Sequence, residues 1–245
     1  MIRVLLFETI TTRKSKAVMS LLTRNIPPDR LRRNNLILLV CLVVLVLFFP
    51  ILSAKRELLG NIIFTGIILA GIFSLNFTEQ TRKILIGTGG STLVLLWLSF
   101  FFASRLWVLL AFINMFFYQI FILFFMIRHI ARSRQVDGTI ILNAVNGYLI
   151  IGFMGALLLT MAEIFELFIL GVDTPLINFA GEAPPQFHDY LYFSFVTVTT
   201  LGYGDITPAN ALAKSIVFLL AISGQLYLTL LVAMLVGKYL SRPKE

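Results

Sequence analysis

Six apolar segments, each long enough to cross a lipid bilayer, restrict this chain to a small choice of folds. An α-helix needs about 20 apolar residues to span the hydrocarbon core, whereas the strands of a membrane β-barrel are short and alternate in polarity. The composition agrees, because 58% of the residues are hydrophobic and only 13% are charged. We therefore predict an all-α, multi-pass membrane protein with six transmembrane helices, at residues 36–53, 58–77, 84–103, 106–127, 139–169 and 211–240.

The basic residues predict the orientation of these helices. If residues 1–35 lie in the cytoplasm, sixteen of the twenty Lys and Arg residues fall on the cytoplasmic side, as the positive-inside rule requires. Both termini are then cytoplasmic, and the loop between the fifth and sixth segments is extracellular. Residues 1–35 either bind anionic lipids at the membrane surface or only set the orientation. The net charge of +8 thus reflects topology, and we expect no nucleic-acid partner.

The extracellular loop contains the stretch Thr199-Thr-Leu-Gly-Tyr-Gly-Asp205. Its glycines, Gly202 and Gly204, are two positions apart and tolerate positive φ without a Cβ clash, so successive carbonyls from Thr200 to Gly204 can turn the same way. A row of carbonyl oxygens, repeated around a symmetry axis, replaces the water shell of a dehydrated cation. The pattern predicts a cation site built from Thr200, Leu201, Gly202, Tyr203 and Gly204.

This stretch resembles the signature of the tetrameric potassium channels, Thr-Thr-Val-Gly-Tyr-Gly-Asp, and departs from it only at Leu201. The resemblance implies a prokaryotic-type, six-transmembrane channel of the pore-loop cation channel superfamily, in the inner (plasma) membrane. It also implies a re-entrant pore helix and a selectivity filter between helices 5 and 6. One chain supplies one filter loop, so the expected partner is the chain itself, as a homotetramer. We expect K⁺ ions in the filter, bound by Thr200, Leu201, Gly202 and Tyr203, and no other cofactor.

The resemblance also divides the chain into regions. Four helices precede a two-helix pore domain, and no attached ligand-binding domain is expected. The predicted regions are a basic N-terminal segment (1–35), a sensor-like domain (36–127), a cytoplasmic linker (128–138), a pore domain (139–240) and a cytoplasmic tail (241–245). The predicted parts of the pore domain are an outer helix (139–169), a turret (171–185), a pore helix (186–199), the filter (200–204) and an inner helix (211–240).

Residues around the filter are expected to hold its diameter. Near the end of the fifth segment, Glu163 takes the role of a glutamate that in related channels accepts bonds from backbone amides at the filter exit; an exposed carboxylate at the membrane interface is the alternative. The other predicted supporting residues are Thr199, Asp205, Tyr192, Phe193 and Val196.

The inner helix carries one glycine of interest, Gly224, twenty residues after Gly204. Such a glycine either permits the helix to bend or allows close packing against the pore helix, and both alternatives stay open. One helical stripe of this helix is predicted to line the central cavity, and consists of Gln225, Leu228, Val232 and Val236.

The fourth segment lacks the arginines of a voltage sensor. Residues 106–127 contain no basic residue, and each gating charge that crosses the field contributes about 2.3 kcal/mol per 100 mV. We therefore predict little intrinsic voltage gating. Arg128, Arg132 and Arg134 follow the segment and are expected to anchor a linker at the lipid headgroups.

These patterns predict a passive, potassium-selective ion channel rather than an enzyme. The two histidines, His129 and His188, are far apart in sequence, and no metal-ligand cluster is apparent. The alternatives are a potassium transporter subunit, a non-conducting or regulatory channel subunit, and a weakly voltage-dependent or nonselective cation channel. The stimulus that opens the pore is not predicted.

Overall fold

A computed structural model describes residues 27–49, 56–75, 77, 79–102, 104–133, 136–171, 175–179 and 184–240. These residues form seven α-helices and one short antiparallel β-ladder. The helices are α1 (Pro28–Phe48), α2 (Arg56–Phe73), α3 (Glu79–Phe102), α4 (Arg105–Arg132), α5 (Gly138–Phe165), α6 (Phe187–Val198) and α7 (Ala211–Leu240), and the strands are β1 (Ile177–Asn178) and β2 (Thr207–Pro208). Most of the basic N-terminal segment, part of the turret and the tail 241–245 lie outside the described residues.

Five of these helices, α1, α3, α4, α5 and α7, are long and apolar enough to cross a membrane. The predicted all-helical membrane class is therefore confirmed. The predicted second span, 58–77, is represented by a shorter apolar helix, Leu58–Phe73. The helix ends early, just before Ser74. The backbone amide and the hydroxyl of Ser74 both donate to the Gly71 carbonyl, at 3.2 and 2.8 Å, and these bonds take the place of the next regular helical hydrogen bond.

Polar contacts show which ends of α1, α2, α4, α5 and α7 lie together. Asn35, near the start of α1, donates to the carbonyl of Ser74, just after α2, at 2.6 Å. Asn146, near the start of α5, donates to the Asn35 carbonyl at 2.9 Å. Lys238, near the end of α7, donates to the carbonyl of Ala131 in α4 at 3.1 Å. We call the end of the bundle where these contacts meet the Asn35 end, and the opposite end the filter end.

The predicted linker 128–138 differs in the structure, because α4 continues through residues 128–132. Its 28 residues rise about 42 Å, which exceeds the hydrocarbon thickness, so the last turn carries Arg128 and Arg132 beyond the apolar part. Asp137 then caps α5 by accepting the amide of Ile140 at 2.8 Å. No separate linker helix lies between α4 and α5 among the described residues.

The outer helix, α5, begins at Gly138 and is extended by a π-helical turn, Glu166–Leu170, close to the predicted end at residue 169. Gly171 ends this turn with φ of 63°, in the left-handed region that glycine adopts without a Cβ clash. The turn widens the end of the helix and brings Glu166 into the protein interior. The π-helical turn therefore places a buried carboxylate at the filter end of α5.

Candidate ion-conducting site

The predicted pore helix is α6, a helix of 12 residues. At about 18 Å it is too short to cross a bilayer. A capping box begins the helix. The backbone amide of Gln186 donates to the Asp189 carboxylate at 2.8 Å, and the Gln186 side chain accepts the backbone amide of Asp189 in return. The cap uses two of the amide groups that every helix start leaves without partners. The structure thus begins and ends this helix within one residue of the predicted 186–199.

The first residue of α6, Phe187, lies in an aromatic cluster that the sequence analysis did not identify. Its ring centroid is 5.4 Å from Phe49, 5.6 Å from Phe64 and 5.6 Å from Phe112. A fourth ring, Phe153 of α5, is 6.2 Å away. The partners come from the end of α1, from α2, α4 and α5, so the helices that precede the pore region hold the start of the pore helix.

The filter residues alternate between positive and negative φ. Thr200, Gly202 and Gly204 have φ of 62°, 55° and 80°, whereas Leu201 and Tyr203 are not in the positive region. An alternation of left- and right-handed residues turns successive amides toward one side of the chain, and hence successive carbonyls toward the other. The backbone of the filter therefore has the conformation that a row of carbonyl ligands requires.

Hydrogen bonds to α6 identify which side carries the amides. The amides of Leu201 and Gly202 both donate to the carbonyl of Val196, at 3.0 and 3.4 Å. In a trans peptide the carbonyl of one residue points opposite to the amide of the next. The carbonyls of Thr200 and Leu201 therefore point away from the pore helix, and within one chain both residues are exposed.

Thr200 is the one described residue other than glycine with a positive φ. This conformation is rare for a β-branched residue and costs about 1–2 kcal/mol. Its amide is held by the carbonyl of Thr197 at 3.0 Å, and the next amide is held by Val196. Backbone strain of this kind persists where surrounding contacts impose it, and it is common at functional sites.

A hydrogen bond joins the two ends of the filter region. The Tyr192 hydroxyl, on α6, donates to the Asp205 carboxylate, just past the last filter glycine, at 2.7 Å. This bond is the main reason that the pKa of Asp205 is lowered from its usual value. Among the other predicted supporting residues, Phe193 and Val196 are buried and Thr199 is exposed, with its hydroxyl donating to the Phe195 carbonyl at 2.6 Å.

Small residues bring α6 close to α5. The Ser194 hydroxyl donates to the Gly152 carbonyl at 2.5 Å. A Cβ added at Gly152 would lie 2.6 Å from the ring of Phe195. Close approach through glycine is the usual way in which membrane helices gain packing contacts. The pore helix is therefore held along its length, at Phe187 by the aromatic cluster and at Ser194 by α5.

Gly224 packs directly against the end of the pore helix. A Cβ at this position would lie 2.7 Å from the Val198 carbonyl oxygen, which is a backbone atom that cannot rotate away. Close packing, one of the two alternatives for Gly224, is thus present in the structure, while the bending role stays a prediction. The predicted cavity stripe lies on an exposed part of α7 and consists of Gln225, Leu228, Val232 and Val236.

A link between α5 and α7 involves Glu166, which the sequence analysis did not select. Its buried carboxylate accepts the Asn210 side-chain amide at 3.0 and 2.8 Å. The Asn210 oxygen in turn caps α7 by accepting the amide of Ala213 at 2.8 Å. Glu163 instead faces Tyr190 and carries no hydrogen bond to Asn210. Glu166 thus accepts a side-chain amide and no backbone amide of the filter exit in these bonds, and the role predicted for Glu163 stays a prediction.

The turret contributes the β-ladder beside the filter exit. Ile177 and Asn178 pair with Pro208 and Thr207, and the amide of Ala209 donates to the carbonyl of Leu176 at 2.9 Å. This pairing was not predicted from the sequence, because two-residue strands leave no periodic pattern. The chain just after the filter is therefore held on one side by the turret and on the other by Asn210.

Comparisons with known proteins agree with this geometry. Residues 153–241 match a family model described as an ion channel, and this range contains the pore helix, the filter and α7. Over 64 residues, which are 26% of its length, the chain is 38% identical to Two-pore potassium channel 4 from Arabidopsis thaliana. The match covers 22% of that relative's own length. No solved structure matches the chain. Residues 153–241 are therefore similar to an ion channel domain, and 64 residues of the chain are similar to part of a potassium channel.

Proposed function

We propose that this chain forms a passive, potassium-selective channel as a homotetramer in the plasma membrane. The observation that carries the proposal is the filter conformation, with positive φ at Thr200, Gly202 and Gly204 and the amides of Leu201 and Gly202 bonded to Val196. Four such loops around one axis would present their carbonyls, and the Thr200 hydroxyls, to a dehydrated K⁺ ion. The similarity to a potassium channel over 64 residues supports this ion.

Exposed side chains at the filter and on α7 support the tetramer. Tyr203 is 66% exposed in the single chain, and Leu201 is 56% exposed. On α7, Phe218 and Leu230 are 69% and 59% exposed. Rings of identical subunits cover such surfaces by repeating one contact around an axis. Neighbouring copies would therefore surround Tyr203 and complete the filter.

The path of α2 supports six spans with both termini in the cytoplasm. Its last turn meets Asn35 through Ser74 at the Asn35 end. Near its start, Gly60 packs against Phe49, and Phe64 contacts Phe187 at the filter end. Although short, α2 thus runs between the two ends of the bundle. An even number of crossings then puts the start of α1 and the end of α7 on one side.

The proposed gating is not driven by voltage within the chain. The membrane-spanning part of α4, residues 106–127, contains no basic residue, so it carries no charge that a membrane potential could move. The aromatic cluster around Phe187 supports a different role for the first four helices, in which they hold the pore helix. Steep voltage dependence of the purified channel would refute this part of the proposal.

Fluxes of K⁺ and Na⁺ into liposomes that contain the purified protein test the proposal. We expect K⁺ flux to exceed Na⁺ flux strongly, and Gly202→Ala to abolish this preference because alanine at φ of 55° costs about 1–2 kcal/mol and turns the carbonyls. Gly171→Ala is the matched control, since Gly171 has φ of 63° outside the filter. Equal fluxes of both ions would favour a nonselective channel, and the absence of flux would favour a non-conducting subunit.

A further inference from the structure

A cavity of about 330 Å³ opens at the Asn35 end, between the segment that follows α2, the start of α3 and the end of α4. One half of its wall is apolar, and includes Phe77 and Phe125, whose rings pack edge to face at 5.3 Å. The other half is basic and polar, and includes Arg128, Arg132 and Thr81. The cavity is thus amphipathic, with its positive charge confined to one side.

The two arginines of this cavity carry uncompensated charge. They lie one turn apart on α4, are both exposed, and repel each other as like charges at this spacing do. No carboxylate lies within 4 Å of either guanidinium among the described residues, where the ion pairs are Glu79 with Lys83 and Asp189 with His188. A guanidinium pairs well with phosphate, because its donors form a planar fork that matches phosphate oxygens. The basic half therefore suits a phosphate group.

We propose that this cavity binds an anionic phospholipid. The phosphate lies between Arg128 and Arg132, and an acyl chain lies against Phe77 and Phe125. From there the apolar surface continues to Phe124, which is 56% exposed on the outside of α4 and whose ring centroid is 5.3 Å from that of Phe125. A free phosphate ion would fill only the basic half and leave the apolar wall uncovered. The site is distinct from the predicted filter.

The position of this cavity connects a bound lipid to the pore-lining helix. His129, which also lines the cavity, contacts the side-chain amide of Asn143 on α5 at 3.0 Å. The carbonyls of the next two residues, Ile130 and Ala131, accept hydrogen bonds from Lys238 near the end of α7. A lipid at Arg128 and Arg132 thus contacts the same turn of α4 that holds the end of α7. Lipid binding therefore stabilises the contact between this turn of α4 and the end of α7.

Native mass spectrometry of the purified full-length protein, titrated with phosphatidylglycerol or phosphatidylcholine, tests the site. We expect phosphatidylglycerol to bind more tightly. The double substitution Arg128→Gln with Arg132→Gln should weaken its binding about thirtyfold, which corresponds to about 2 kcal/mol. Lys83→Gln is the matched control, because Lys83 is a basic residue at the same end of the bundle that is paired with Glu79. It should change the affinity less than threefold.

Three outcomes would overturn the proposal. The double glutamine variant could bind phosphatidylglycerol as tightly as the Lys83→Gln control. Millimolar inorganic phosphate could displace the lipid, which would make the site one for a free anion. Phosphatidylcholine could bind as tightly as phosphatidylglycerol, which would show that the cavity does not recognise the charge of the lipid. The titration does not require a conducting pore, so its result is independent of the proposed K⁺ conduction.

Discussion

Gly224→Ala is expected to weaken the packing of the pore unit, although alanine is the better helix former. The added Cβ would lie 2.7 Å from the carbonyl oxygen of Val198 and 3.2 Å from its Cα. The same carbonyl accepts the Tyr148 hydroxyl at 3.2 Å, so the end of α6 is held from a second side. Because the overlap is with backbone atoms, it cannot be relieved by rotating a side chain. Either α7 or the end of the pore helix must move.

Two opposing effects determine the size of the change. Alanine stabilises a helix by about 1 kcal/mol relative to glycine, whereas overpacking a closely packed interior costs about 1–3 kcal/mol. Gly237→Ala is the matched control, because Gly237 lies in the same helix and a Cβ there meets no atom within 4 Å. The difference between the two variants isolates the overlap. We expect Gly224→Ala to be less stable than Gly237→Ala by about 1–3 kcal/mol.

Denaturant titration of both variants in detergent micelles measures this difference in the free energy of unfolding. If the two variants are equally stable, the argument from close packing is wrong. A bending role predicts a different result, in which Gly224→Ala is at least as stable as the control but conducts less K⁺ in liposomes. The pair of measurements therefore separates the two roles that the sequence leaves open for this glycine.

Two contacts at the filter exit give further predictions. The hydrogen bond from Tyr192 lowers the pKa of Asp205, so it stabilises the folded state above about pH 4 and is lost as the pH falls through the lowered pKa. Tyr192→Phe should therefore make the K⁺ current decay faster at neutral pH and make the decay rate depend less on acid pH. An unchanged dependence of the current on acid pH would contradict this. Glu166→Gln replaces a buried acceptor of two bonds from Asn210 and should lower the free energy of unfolding by about 1–3 kcal/mol. Glu163→Gln should cost less in the same titration, and equal losses would show that Glu166 is not the linking residue.

The four helices before the pore region have a structural role that does not depend on charge. Phe187 joins the start of the pore helix to rings on α2 and α4 and at the end of α1. At the other end of the bundle, Lys238 joins the end of α7 to α4. The same four helices therefore contact the pore unit at both ends. These contacts connect the first four helices mechanically to both α6 and α7.

Local patterns in the sequence were sufficient to predict the all-helical membrane class, and they assign the predicted filter to residues 200–204. Apolar length decides whether a helix can cross a bilayer, and this property is read from consecutive residues. The positive φ of Gly202 and Gly204 was expected for the same reason, since only the residue itself determines whether a Cβ clashes. The limits of α6 lie within one residue of the predicted 186–199, because Pro184 and Pro185 directly precede it in the chain and mark its start.

Other features depended on residues that are far apart in the chain and were decided by the tertiary structure. The Ser194 hydroxyl on α6 reaches the Gly152 carbonyl on α5. Glu166 rather than Glu163 reaches Asn210, since the π-helical turn rotates the end of α5. Contacts of this kind join residues more than forty positions apart, and no local pattern records them. The apolar sequence thus determined which segments become helices, whereas packing between the helices determined which of their distant side chains meet.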